Sequence, residues 1–241
     1  MGQLRMDFVA AVLLAALGIT FLARRPVSAL PLPIELIRRI AAIYLAVFKH
    51  FRVVHADYVP KSGPLILVSN HSAVYDPVCL QVACKHRPIR FMEAREYYDV
   101  RVLRTIYRML RVIPVNRTGN DVVSIRTALR ELANNECIGI FPEGRISDDG
   151  QIHQARKGVA LLALMSNAVV VPAYFQGTKP FSGMIRDFVQ FNHVTLHFGP
   201  PIHFDDLAGQ HRDEATRDIA LKRIMDAILV LQDQSKANTA A

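Results

Sequence analysis

After Phe51 the chain alternates short, uncharged apolar runs with longer stretches whose apolar residues recur every three to four positions, and that rhythm confines it to a sheet layered with helices. The apolar runs predict strands at Val53 to Val59, Leu65 to Ser69, Ile89 to Met92, Val112 to Val115, Cys137 to Phe141, Val169 to Tyr174 and Phe188 to His197. Between them the helical pattern predicts helices at Asp76 to Lys85, Ala94 to Leu110, Asp121 to Asn134 and Arg156 to Ser166, and a last amphipathic helix from Asp213 to Gln232. The expected class is α/β. At 241 residues, 51% hydrophobic and 21% charged, the chain suits one large catalytic domain, 51–233, with a short appendage at 1–50. The polar end QSKANTAA, 234–241, is expected to be a flexible tail.

A net charge of +8 calls for an anionic partner: nucleic acid, a phospholipid surface or an acidic carrier protein. The absence of Trp, the low aromatic content and the lack of zinc-finger spacing argue against nucleic acid. Cys79, Cys84 and Cys137 form no CxxC pair and are odd in number, so neither a disulfide framework nor a zinc site is expected, and a reducing compartment suits them. His193 and His197 lie in the alternating run FVQFNHVTLHFGP and read as packing or solvent-facing residues of a strand, so no metal site is expected there.

Phe8 to Ala23 is uncharged and almost wholly apolar, and Arg24-Arg25-Pro26 ends it. It falls short of the ~20 residues needed to span a bilayer, so an interfacial, re-entrant or barely spanning helix is expected, with a cleaved signal peptide ending near Val27-Ser28-Ala29 as the rival. A second helical pattern, Pro33 to His50, fits either a companion in the headgroup region or an ordinary core helix.

Four elements carry chemistry. PLILVSNHSAVYDP places Asn70 and His71 where a buried strand ends, and Asp76-Pro77 where a helix begins. One Asp76 oxygen can cap that helix while the other takes the imidazole Nδ1 proton, leaving Nε2 free to act as a base toward an alcohol. CIGIFPEGR again opens a buried strand into a polar turn, holding Glu143 at its mouth, with Gly144 admitting a close ligand. IPVNRTG sets Arg117 after a short strand, where its fork can take a phosphate or simply face water. In VVVPAY, Pro172 beside Val171 suits an edge strand or a lipid-facing wall.

The order NHSAVYD, IPVNR, FPEG, VPAY resembles the glycerophospholipid acyltransferase family that includes the lysophosphatidic acid acyltransferases. The resemblance spans roughly 65–174 and implies a mixed sheet flanked by helices with a membrane-associating N-terminal helical segment. It implies His71 as general base, Asp76 as its orienting partner, Arg117 as a ligand for the lysolipid phosphate, and Asn70, Glu143, Gly144 and Arg145 in the substrate site. The implied reaction moves a fatty acyl group from acyl-CoA or an acyl carrier protein to the free hydroxyl of a lysophospholipid, foremost 1-acylglycerol-3-phosphate, with no metal or other cofactor. The implied place is a bacterial inner membrane, with the catalytic domain facing the cytoplasm. FPEGRIS departs from the family's common FPEGTRS by setting Arg145 directly after Gly144, a form like that of lysophosphoethanolamine acyltransferases, which leaves the headgroup open. Arg101, Arg104, Arg108 and Arg111 fall on one helical face, for solvent, an anionic bilayer or an acidic carrier protein. A transacylase, a non-catalytic lipid-binding protein and a serine hydrolase using Ser69 or Ser72 are the rival readings; the last lacks a GxSxG elbow.

Overall fold

The computed structural model describes residues 32–98, 101–117, 121–179 and 183–240. The apolar run Phe8 to Ala23 and its rival signal-peptide reading lie outside the described residues. Helix α1 (Leu32–Phe48) leads into strand β1 (Arg52–Val54), and the rest of the sheet is β2 (Leu65–Ser69), β3 (Ile89–Ala94), β4 (Ile113–Val115), β5 (Cys137–Ile140), β6 (Val169–Gln176) and β7 (Thr195–Phe198). The other helices are α2 (Asp76–Ala83), α3 (Arg95–Tyr98), α4 (Arg101–Met109), α5 (Val122–Ala133), α6 (Gly158–Ser166), α7 (Met184–Val189) and α8 (Glu214–Ala240).

The seven strands lie in the order β1-β7-β6-β2-β5-β3-β4. Every pairing is parallel except β6 with β7, so the sheet is mixed. Alternate residues of β2 explain its unbroken apolar run. Leu65 and Leu67 join the core under α1 and α2, while Ile66 and Val68 join the core under α5, α6 and α8. Both faces are covered by helices, and the carboxyl ends of β2 and β5 are left to carry the loops that follow.

Several boundaries move from their sequence expectation. The first strand stops at Val54 because His55 turns left-handed (φ 56°) into a single 3-10 turn, Ala56–Tyr58. The expected helix from Ala94 is two helices, and the expected strand from Phe188 is mostly α7 and a loop; Asn192 and Val194 give their amides to the carbonyls of Phe48 and Lys49. Four arginines do not share a face: Arg111 lies past α4 with φ 54° and pairs with Glu131 at 2.7 Å. Residues 234–240 do not fray, because α8 continues through them and Ser235 is buried, its carbonyl accepting from Gln176 Nε2 at 3.0 Å.

Val171 and Pro172 form neither an edge nor a lipid-facing wall. Both are buried in β6, which runs between β7 and β2. A proline is tolerated so far inside because its missing donor falls on the β7 side, where the ladder has not begun. Val170 exchanges hydrogen bonds with Ile202 there, the Pro172 carbonyl accepts from Gly199, and pairing with β7 starts only at Ala173.

Helix α1 belongs to the body of the domain. Leu45 is fully buried in the core against α2. Lys49, also fully buried, donates from Nζ to the carbonyls of Asp187 and Gln190, both at 2.6 Å, and lies 4.3 Å from the Tyr75 ring centroid. Burial pushes its pKa down, and the carbonyls and the ring face compensate the ammonium. The opposite side of α1 leaves Leu32, Leu36 and Ile40 exposed, four residues apart and therefore in one stripe. No helix among the described residues is long and apolar enough to cross a membrane.

Candidate active site

β2 ends at Ser69, and the next six residues form a tight loop into α2. Asp76 is fully buried, and its Oδ2 accepts three hydrogen bonds: from Ser72 N and Ala73 N at 2.8 Å each, and from His71 Nδ1 at 3.0 Å. The carboxylate therefore closes the loop on its N-terminal side, and the expected capping of α2 by its other oxygen does not occur; Pro77 takes the first turn of the helix as expected. Asp76 Oδ1 has no hydrogen-bond partner among the described residues. With Asp76 holding the proton on Nδ1, the free lone pair of His71 lies on Nε2, which no described residue engages. Phe141 stacks on the imidazole, with ring centroids 3.9 Å apart and planes at 16°, and fixes its tilt.

Glu143 reaches this loop from the turn that follows β5. Its Oε1 accepts from His71 N at 3.1 Å and its Oε2 from His153 N at 3.0 Å, while Ser147 N donates to the His71 carbonyl at 2.7 Å. The structure shows Glu143 as a clamp between these two loops. Burial, opposed by the two amides, holds its carboxyl above the usual carboxylate range. Asn70 ties β2 to β6: its Oδ1 accepts from Phe175 N at 2.8 Å and its amide donates toward Ser72 Oγ and the Phe175 carbonyl. No serine hydroxyl bonds the His71 ring among the described residues, and Ser72 Oγ instead accepts from Asn70.

Three guanidinium groups stand at the mouth. Arg117 is exposed, lies over the Tyr97 ring at 5.8 Å, and comes directly after Asn116, whose amide donates to Asp121, a carboxylate that also accepts from Ser124 N. Arg145 is exposed beside Gly144. Arg156, which the sequence reading passed over as the first residue of a helix, joins the two: its amide donates to the Pro142 carbonyl and its Nη1 to the Arg117 carbonyl. Gly144 takes φ 68°, and a Cβ there would stand 2.7 Å from Arg156 Nε, so glycine is what allows the guanidinium to lie against the turn. All three arginines and His71 line one open groove of about 2010 Å³.

By face of the sheet, the lining of the groove divides into two lobes. The first is walled by α1 and α2 through Ile37, Tyr44, Val78 and Val82; the second lies among α5, α6 and α8. Against this geometry, residues 50–176 match the family model for Acyltransferase. The chain belongs to the acyltransferase family.

A 1-acyl-sn-glycerol-3-phosphate acyltransferase of Bacillus subtilis is 28% identical over 158 residues, covering 65% of this chain and 76% of its own. One of Streptococcus pneumoniae is 27% identical over 185 residues, covering 76% and 66%. The crystal structure of the 1-acyl-sn-glycerophosphate acyltransferase PlsC of Thermotoga maritima shares the fold, with a TM-score of 0.63 at 20% identity over 83% of this chain and 79% of that one.

In this acyltransferase the clamp makes Glu143 a positioning residue, and Glu143→Gln tests it. The amide keeps one acceptor but turns an NH2 toward a backbone N–H, leaving a buried donor unpaired at a cost of about 1–3 kcal/mol. The expected outcome is a lower melting temperature together with a kcat loss of roughly tenfold, equivalent to about 1.4 kcal/mol of lost transition-state stabilisation. Unchanged melting and kcat would remove the clamp from the account.

Proposed function

We propose that this acyltransferase transfers a fatty acyl group from a thioester, acyl-CoA or an acyl carrier protein, to the free hydroxyl of 1-acylglycerol-3-phosphate. The observation that carries the reading is the buried His71–Asp76 pair opening on a groove whose mouth bears Arg117, Arg145 and Arg156. His71 Nε2 takes the acceptor's hydroxyl proton as the oxygen attacks the thioester carbonyl carbon. The C–S bond then breaks, the proton passes to the leaving sulfur, and an ester and a thiol leave with the imidazole neutral again. Atoms and charge balance without a metal or redox cofactor. The three forked cations suit a phosphomonoester, and the names of the bacterial relatives support the same acceptor.

The reading places the enzyme at the cytoplasmic face of a bacterial membrane. The exposed stripe of Leu32, Leu36 and Ile40, following an apolar leader, supports contact with the bilayer on the α1 side. Mass spectrometry of products after offering a mixture of lysolipids with acyl-CoA or an acyl carrier protein tests it, with phosphatidic acid as the expected product. In the same assay Arg145→Ala raises KM for 1-acylglycerol-3-phosphate by about tenfold, the loss of one charge-assisted phosphate contact, and leaves KM for the donor unchanged. Exclusive formation of phosphatidylethanolamine would move the acceptor to a lysophosphoethanolamine lipid, as the FPEGRIS spelling suggests; no product from any lysolipid would sink the reading.

A further inference from the structure

A groove of about 2010 Å³ is larger than one drug-sized ligand requires, and its two lobes differ in character. The lobe under α1 and α2 is aliphatic and aromatic. The other is a trough with α6 as its floor, through Leu161 and Met165, and with walls from α5 (Ile125, Leu129) and α8 (Leu221, Met225). Cations edge this trough: Lys157, Arg217 and Lys222 line it with Arg126. Lys157 is paired with Glu214 and Asp218, Lys222 with Asp226, and Arg217 donates to the carbonyls of His211 and Arg212. Arg126 is exposed and its guanidinium has no partner among the described residues.

Resting on the thioester chemistry proposed above, we infer that the α5–α6–α8 trough seats the phosphopantetheine arm of the acyl donor and that Arg126 meets its phosphate. Three observations carry the assignment. The arm is half apolar and half amide with an anionic end, which matches an apolar floor with a basic edge better than it matches the lobe under α1; a hydrocarbon tail has the opposite preference. The trough opens at the site, because α6 starts two residues after Arg156, with Gly158 packed toward Ile125 of α5, and Lys157 ties the first turns of α6 and α8 together. Arg126 follows Ile125, which packs at Gly158, so its guanidinium edges the end of the trough next to the site, and the arm runs between His71 and the first turns of α5 and α6. Finally, the trough lies on the opposite face of the sheet from α1, away from the apolar stripe read above as the bilayer side, where a soluble donor can arrive and the free thiol leave.

Coenzyme A itself is the probe. Calorimetric titration of the full chain should show coenzyme A binding weakened about tenfold by Arg126→Glu, equivalent to about 1.4 kcal/mol, while His71→Ala binds as wild type. The same titration with a phosphopantetheinylated acyl carrier protein distinguishes the two sources of the arm. In turnover, Arg126→Glu should raise KM for the thioester and leave that for the lysolipid alone, and an S-acyl pantetheine lacking the phosphate should be used equally by variant and wild type. Binding of both probes unchanged by Arg126→Glu, binding of neither to wild type, or a rise confined to the lysolipid KM overturns the inference. Probe binding as described in a protein that transfers no acyl group would instead overturn the function and leave the trough assignment standing.

Discussion

His71→Ala lowers kcat/KM by roughly 10³- to 10⁴-fold while the protein still melts cooperatively close to the wild-type temperature. The size follows from what is removed. A lipid hydroxyl is barely ionised near neutrality, and the described groove holds no second base bonded to Asp76 that would take over; Nε2 of His71 is the group left free by the Nδ1–Asp76 bond. The fold survives because the side chain sits at a groove wall, and the bonds that hold this loop run through the His71 backbone, to Glu143 and Ser147, which alanine keeps. The measurement is thiol release from acyl-CoA under saturating lysolipid, with thermal unfolding in parallel. A variant keeping more than about a tenth of wild-type kcat, less than 1.4 kcal/mol of lost stabilisation, would mean that His71 is not the base.

Asp76 gives the second large effect, and two substitutions separate its duties. Asp76→Asn can place its carbonyl oxygen where Oδ2 lies, keeping Ser72, Ala73 and His71 as donors, and its NH2 where Oδ1 lacks a partner. The loop then keeps its shape but the negative charge opposite the forming imidazolium is gone, and kcat falls by roughly 100-fold, a loss typical of one charged hydrogen bond. Asp76→Ala leaves two buried backbone amides with no acceptor, which costs about 1–3 kcal/mol each, so it loses both activity and stability. Kinetics and denaturant unfolding of the pair read the two effects apart. Equal stability in both variants would show that the carboxylate does not hold the loop.

The parts of this architecture written into short stretches of sequence were readable there. β2 was bounded to the residue because LILVS is apolar on both faces and ends at a polar loop, and His71 and Asp76 meet because a strand, a turn and a helix start place them together locally. What depends on distant packing was not readable. Glu143 lies 72 positions from the amide it clamps, and no pattern near FPEG tells a clamp from a ligand. Arg156 looked like an ordinary helix residue because the glycine that accommodates it is twelve positions earlier in a different loop. Pro172 was assigned to an edge by a rule that concerns its missing donor, and the rule held; the donor's side simply faces the end of a neighbouring ladder, which only the sheet order reveals. The continuation of α8 past Gln232 is held by Gln176 bonding the Ser235 carbonyl, a contact between residues 59 positions apart.

The ammonium of Lys49 has a mechanical meaning. It rivets the end of α1 to α7 through two carbonyls, and the very next residues cross into the sheet, with Val194 bonded to Lys49 and Arg52 bonded to Val194. There is no slack between α1 and the strands, so whatever fixes the height of α1 above a surface also fixes the height of the imidazole. Reach toward that surface is thus a dimension set by the scaffold, and a flexible spacer inserted after Lys49 would uncouple the two.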